Sequence, residues 1–213
     1  MQHAIIPDYF DHKDPLNEIG INKQAMVDIG NRILAGASQT THHDAINASG
    51  SYAYLAGVRA LRDVLCLQGW KKNPKGNLEL TSHPDKDVHL LVSSGNKYTG
   101  DRHSLPRTKN KKGSQTKNVV HQNAHHPYLF PEMNQIFKPK PDASQTWFVL
   151  YYIDRKKSEM RMEVSLPISF DENELRVTGW IKRIILDPIK LDHSPIVQEP
   201  EYAEIPPFDI SRK

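Results

Sequence analysis

Twenty residues, SYAYLAGVRALRDVLCLQGW (51–70), can hide their apolar side chains on one face only as a helix. Leu55, Val58, Leu61 and Leu65 recur at three- and four-residue steps, which is the helical period. Ser51 is placed to cap this helix and Gly69 to end it. INKQAMVDIGNRILAGA repeats the period through Ala25, Met26, Ile29, Ile33 and Leu34, with Asn22 as N-cap and Gly36 as stop. A polar connector, GASQTTHHDAINASG, joins the two. Two apolar stripes need a common surface to cover them, and the rest of the chain has to supply it.

The surface that follows is β-rich. KKNPKGN reads as a hairpin-like loop because Pro74 and Gly76 punctuate it. LELTS is a strand, and the continuous apolar run of DVHLLVSS suits a central strand covered on both faces. TWFVLYYID and EMRMEVSLPISF flank RKKS as the arms of a hairpin. In the second arm Met160, Met162, Val164 and Leu166 alternate with Arg161, Glu163 and Ser165, the pattern of a strand with one face in water. ELRVTGWIKRIILDPI adds a strand or short helix. Helices first and then mostly antiparallel strands predict an α+β fold, with the N-terminal helices packed on the sheet. Residues 1–186 are expected to form one domain. Residues 187–213 hold Pro188, Pro195, Pro200, Pro206 and Pro207, and are expected to be an extended tail outside any regular element.

Charge is distributed unevenly. The net charge is only +3, from 28 Lys+Arg against 25 Asp+Glu. Yet from Arg102 to Pro131 there is no acid, while Arg102, Arg107, Lys109, Lys111, Lys112 and Lys117 fall within sixteen residues. With three glycines and Pro106 in GNKYTGDRHSLPRTKNKKG, this is expected to be a long surface loop, followed by a helix from about Ser114 to before Pro127. Cations set among Asn110, Gln115 and Asn118 match what contact with a phosphate backbone uses: Lys and Arg for phosphate, amides for base or sugar. Gly113 before Ser114 also offers a helix N-terminus, where free N–H groups favour an anion. Tyr98, Tyr128, Phe130 and Trp70 lie near enough in sequence to stack on bases.

Other chemistry is fragmentary. Gly95-x4-Gly100 after a strand has the glycine spacing of a phosphate loop, but Asp101 and Arg102 stand where Lys and Ser or Thr would bind phosphate and magnesium. A weaker anion nest of backbone N–H groups remains open there. His121 and His125 share a helix face at a two-ligand metal spacing, to which His42, His43 or Asp44 would add from another element, but Gln122 replaces the glutamate of a metalloprotease motif. A nuclease would draw on Asp85, Asp87 and Glu79, expected to border the basic loop, or on Asp154 and Glu163, where Ser165 stands in place of the motif's lysine. Cys66 is expected to be a buried packing residue, and as the single cysteine it excludes an intrachain disulfide. The first residues have neither a basic nor an apolar leader region, and the longest apolar runs fall far short of the ~20 residues that span a bilayer. A cytoplasmic chain with no membrane partner is the expectation.

Three functions follow. The first is a nucleic-acid binding protein, for DNA or RNA, that needs no cofactor. The second is a nuclease using a divalent metal ion. The third is a non-catalytic subunit that meets other proteins through its C-terminal tail.

Overall fold

The computed structural model describes residues 14–124 and 144–191 of the chain. Among the described residues there are four helices: α1 (Pro15–Glu18), α2 (Lys23–Ser38), α3 (Ala48–Cys66) and α4 (Ser114–Ala124). Seven strands form one sheet: β1 (Lys71–Lys75), β2 (Leu78–Ser82), β3 (Val88–Ser94), β4 (Gln145–Asp154), β5 (Glu159–Asp171), β6 (Arg176–Ile185) and β7 (Ile189–Lys190). The spatial order is β1-β2-β3-β4-β5-β6, with β7 paired to β5. Every pairing is antiparallel except β3–β4. The α+β class expected from the sequence is therefore the class observed.

The helices α2 and α3 cover one face of the sheet. Ile29 and Ile33 of α2, Leu61 and Leu65 of α3, and Leu90, Val149, Met160, Met162 and Val164 of the strands make one core. Each large aliphatic side chain buried there contributes about 1.5–3 kcal/mol. Asn22 caps α2 as expected, its side chain accepting from the Ala25 N–H at 2.7 Å. Gly36 does not stop that helix. A Cβ at Gly36 would lie 2.5 Å from Ala56 Cβ and 2.8 Å from the Tyr52 carbonyl, so glycine is there to let α3 approach closely. The helix α3 begins at Ala48, ahead of Ser51, and the side chain of Asn47, the residue before it, makes no capping hydrogen bond.

A second core lies on the opposite face. Val120 of α4 packs there with Leu80, Leu91, Phe148, Leu150, Val177 and Trp180. The strand β3 is thus covered on both sides, with Leu90 and Val92 in the first core and Leu91 in the second. The link from β3 through α4 to β4 is a parallel crossover inside an otherwise antiparallel sheet. Asn123 fastens its far end. This buried amide donates to the carbonyls of Thr146 at 2.9 Å and Pro167 at 3.0 Å, and accepts from the Thr146 N–H at 2.8 Å.

Several local expectations are corrected. KKNPK is not a loop but the edge strand β1; the turn is Gly76–Asn77, both at positive φ, the geometry of a two-residue hairpin. Pro74 is tolerated because the strand lies at the sheet edge. Cys66 is exposed rather than buried, one position past the apolar stripe. The start of the tail is a regular element: Ile189–Lys190 pairs with Glu159–Met160, Ile189 packs on the first core, and Asp187 meets Lys23 at 2.6 Å. The remaining tail prolines lie outside the described residues.

The largest difference concerns β5. Its polar face does not meet water: Glu163 and Ser165 are both fully buried. The Glu163 carboxylate meets the Arg183 guanidinium at 2.5 Å and accepts from the Ser165 hydroxyl at 2.9 Å and the Gly100 N–H at 2.9 Å. Arg183 also donates to the carbonyls of Asp101 and Ser104, each at 3.0 Å. The basic segment lies over this pair and shields it. Gly100 sits at φ +71°, and a Cβ there would fall 2.9 Å from Arg161 Cβ, so the close approach requires glycine. Removing one member of a buried pair strands the other charge, which costs about 3–5 kcal/mol. Glu163→Ala is expected to lower unfolding free energy by that amount in urea titration, and to expose residues 100–113 to proteolysis.

Candidate nucleic-acid interface

The basic segment is long and irregular, as expected, but it is tied to the sheet along its length. Lys109 N–H donates to Ser94 O at 2.9 Å, Thr108 N–H to Val177 O at 3.1 Å and Lys112 N–H to Leu175 O at 2.7 Å. The Trp180 indole donates to Pro106 O at 2.7 Å, and the buried Thr108 hydroxyl accepts from Val177 N–H at 3.2 Å. The Gly95–Gly100 loop has no open nest for an outside anion at its second glycine. The Gly100 N–H already cradles an anion, the protein's own Glu163, and Asn96 Oδ1 takes the Tyr98 N–H at 3.2 Å.

This anchoring places the segment along a cleft of about 860 Å³ at the C-terminal ends of β3 and β4. Lys109, Asn110, Lys111, Lys112, Gly113 and Gln115 form one wall. The start of α3, the Gly76–Asn77 turn, and Tyr54, Tyr151 and Arg155 complete it. The N-terminus of α4 opens here because a crossover helix must run back from the end of one parallel strand to the start of the next. Gly113 supplies the first helical carbonyl, accepting from Lys117 N–H at 3.2 Å, but has no side chain to cap the N–H groups of the first turn. No acidic residue occupies that turn.

The six cations fare differently. Lys109 and Lys111 are exposed on the cleft wall. Lys112 is half-buried beside Arg176, and desolvation, with a smaller push from that arginine, lowers its ammonium from the usual 10.5 to about 8. Arg107 is matched by Glu174, and Lys117 by Glu172 at 2.5 Å, both acids coming from the turn between β5 and β6. Arg102 is exposed and close enough to Asp187 to help hold that carboxyl below its usual range, after the larger effects of Lys23. The acid-free stretch of sequence is therefore neutralised in part by Glu172 and Glu174, residues distant in sequence. What remains unpaired is concentrated at the cleft. Of the amides, Asn110 and Gln115 line it, whereas Asn118 is exposed on α4 outside it.

The proposed nuclease residues do not converge. Asp85 and Asp87 occupy the turn before β3, so the whole strand separates them from the basic segment, roughly 20 Å of extended chain. Glu79 does line the cleft, but its carboxylate is held by Arg62. Asp154 accepts the N–H groups of Lys156 and Lys157 at 3.2 Å and so shapes the β4–β5 turn, while Glu163 is committed to Arg183. Asp44 ties the α2–α3 connector through Thr41 N–H at 2.8 Å and the Tyr52 hydroxyl at 3.1 Å. His121 is exposed on α4; His125 lies outside the described residues. Among the described residues no group of three or more His, Cys, Asp or Glu gathers in a way that could hold a metal ion.

Stacking partners also change. Trp70 is buried edge-on to His83, with ring centroids 4.9 Å apart, and is not available to a base. Tyr98 is partly exposed with Lys97 over its ring at 5.1 Å. Tyr128 and Phe130 lie outside the described residues. The aromatics that do line the cleft, Tyr54, Tyr151 and Tyr152, were hidden in sequence inside a helix and an apolar strand. For Tyr151 and Tyr152 the one signal was their place at the close of the run FVLYY near a strand's C-terminal end; Tyr54 had none.

No protein-family profile matches the chain, and comparisons with curated proteins and with solved structures found no significant match. No described helix is long and apolar enough to cross a membrane.

Lys112 gives a stability test whose sign is fixed. Its folded value lies below its unfolded one, so the unfolded chain binds more protons between about pH 8 and 10.5, and stability from this group rises with pH over that window. Below pH 8 the buried charge is destabilising. Lys112→Met is expected to raise unfolding free energy at pH 7 by about 1–3 kcal/mol, and to flatten the pH dependence between 8 and 10.

Proposed function

We propose that the protein binds nucleic acid, DNA or RNA, through the rim of the cleft. Lys109, Lys111 and Lys112, with Arg102 farther along the segment, contact phosphates; Asn110 and Gln115 contact sugar or base. The observation that carries this is the selective pairing of charge. Arg107 and Lys117 meet acids of the β5–β6 turn, while Lys109 and Lys111 have no ion-pair partner among the described residues and flank a helix N-terminus. A surface charged only for solubility would mix the signs locally. Arg155 adds a cation across the cleft, and the exposed Lys71, Lys72 and Lys75 of the edge strand extend the positive surface. No cofactor is required for binding of this kind.

Affinity is expected to fall steeply with salt, because each neutralised phosphate releases condensed counterions. Lys109→Ala and Lys111→Ala should each reduce the slope of log K against log salt by about 1. Arg107→Ala and Lys117→Ala should change it much less, since their charges are already matched. Fluorescence anisotropy with a labelled single strand and a labelled duplex between 50 and 300 mM salt (roughly the range over which such contacts are lost) reads this. Absence of binding to both at the lowest salt would contradict the proposal.

A further inference from the structure

The cleft has a property that rim contacts do not use. Tyr151 lines it, is only 4% exposed, and its hydroxyl has no hydrogen-bond partner among the described residues. A buried hydroxyl left unmatched costs about 1–3 kcal/mol. Six described side chains hold a buried polar atom without a partner, and Tyr151 is the one among them that lines the cleft. Packing alone would be served by phenylalanine.

Tyr151 and Lys112 stand on opposite sides of the sheet edge. Trp147, Val149 and Tyr151 of β4 face α2 and α3, where Tyr54 of α3 joins them at the cleft. Lys112 leads into α4, which packs on the other face. The cleft therefore has one end made of Lys112 and the first turn of α4, and an aromatic end made of Tyr54, Tyr151 and Tyr152, beside which Arg155 lies. Glu79 is the one acid among its described lining residues, and Arg62 holds it. Its volume is in the range of small-ligand sites and far too small to admit a double helix. An unpaired nucleotide has the matching polarity: an anionic phosphate at one end and a flat ring with hydrogen-bonding edges at the other.

We propose that the cleft seats the unpaired terminal nucleotide of a strand whose end carries a phosphate. The phosphate lies on the N-terminus of α4 beside Lys112, and the nucleoside reaches Tyr54 and the Tyr151 hydroxyl. This rests on the nucleic-acid function proposed above and narrows its substrate to phosphorylated strand ends. A terminal phosphomonoester carries more charge than an internal phosphodiester, and two faces of the site compensate it: an ammonium already stripped of much of its water, and helix N–H groups with no cap. A mid-strand nucleotide would have to continue past both ends of the cleft.

The test uses the full chain and four labelled probes: one short single strand bearing a 5′-phosphate, a 3′-phosphate or hydroxyls at both ends, and a blunt hydroxyl-ended duplex. One phosphorylated strand is expected to bind at least about tenfold more tightly than the hydroxyl-ended strand, the effect of hydrogen bonds to a charged group. Lys112→Met should erase that difference. Tyr151→Phe should weaken binding of the phosphorylated strand by about threefold to tenfold, with a melting temperature equal to or above that of the parent, since the deleted hydroxyl was unmatched. That opposite movement of affinity and stability distinguishes a ligand contact from a structural role. Equal binding of phosphorylated and hydroxyl-ended strands would overturn the end-recognition inference and leave the rim proposal standing. Failure of all four probes to bind would overturn both.

Discussion

The ion pair between Glu163 and Arg183 organises the half of the molecule that carries the candidate site. It lies on the face of β5 opposite the helical core, and Glu163 is wholly removed from water. A charge in such a place is tolerable only if every lone pair is used. Arg183, the Ser165 hydroxyl and the Gly100 N–H use them. The last of these belongs to the basic segment, so satisfying Glu163 also fixes where that segment crosses the sheet. Arg183 then holds two of its carbonyls. From there the backbone ladder to Ser94, Val177 and Leu175 carries the chain to the start of α4. A run of lysines that would repel one another in a free loop is thereby held as the wall of a cleft.

Much of the scaffold was legible. The apolar period of α2, that of α3 apart from Leu55, which lies exposed, the covered run of β3 and the β4–β5 hairpin arise from local alternation, which a sequence displays directly. The start of α4 followed from Gly113. What escaped depended on distant partners. Alternation along β5 correctly separated its two faces, but periodicity cannot tell water from a covering loop, so Glu163 and Ser165 read as exposed. The parallel crossover was missed because α4 has only a weak apolar stripe, with the polar residues Thr116 and Asn123 at buried positions. Gly36 looked like a stop because close helix packing and helix termination both favour glycine.

The candidate site was half legible for the same reason. Counting charge along the chain located the basic segment but could not foresee Glu172 and Glu174, which return from the β5–β6 turn to match Lys117 and Arg107. That pairing sharpens the picture, because it leaves Lys109, Lys111 and Lys112 as the cations facing the cleft. Asp85 and Asp87 were placed near the loop by sequence proximity, yet a strand runs between. The tyrosines were invisible as site residues because a strand's last apolar positions can face either a core or an opening above it.

The central physical claim is that the basic segment is a fixed wall, held by backbone hydrogen bonds and the buried pair beneath it. Amide hydrogen exchange measures this most directly. The N–H groups of Gly100, Thr108, Lys109 and Lys112 are expected to be protected to a degree approaching those of β4 and β5, and to lose that protection together when Glu163 is replaced. Exchange of these four amides at the rates of an unstructured peptide, while β4 and β5 stay protected, would contradict it.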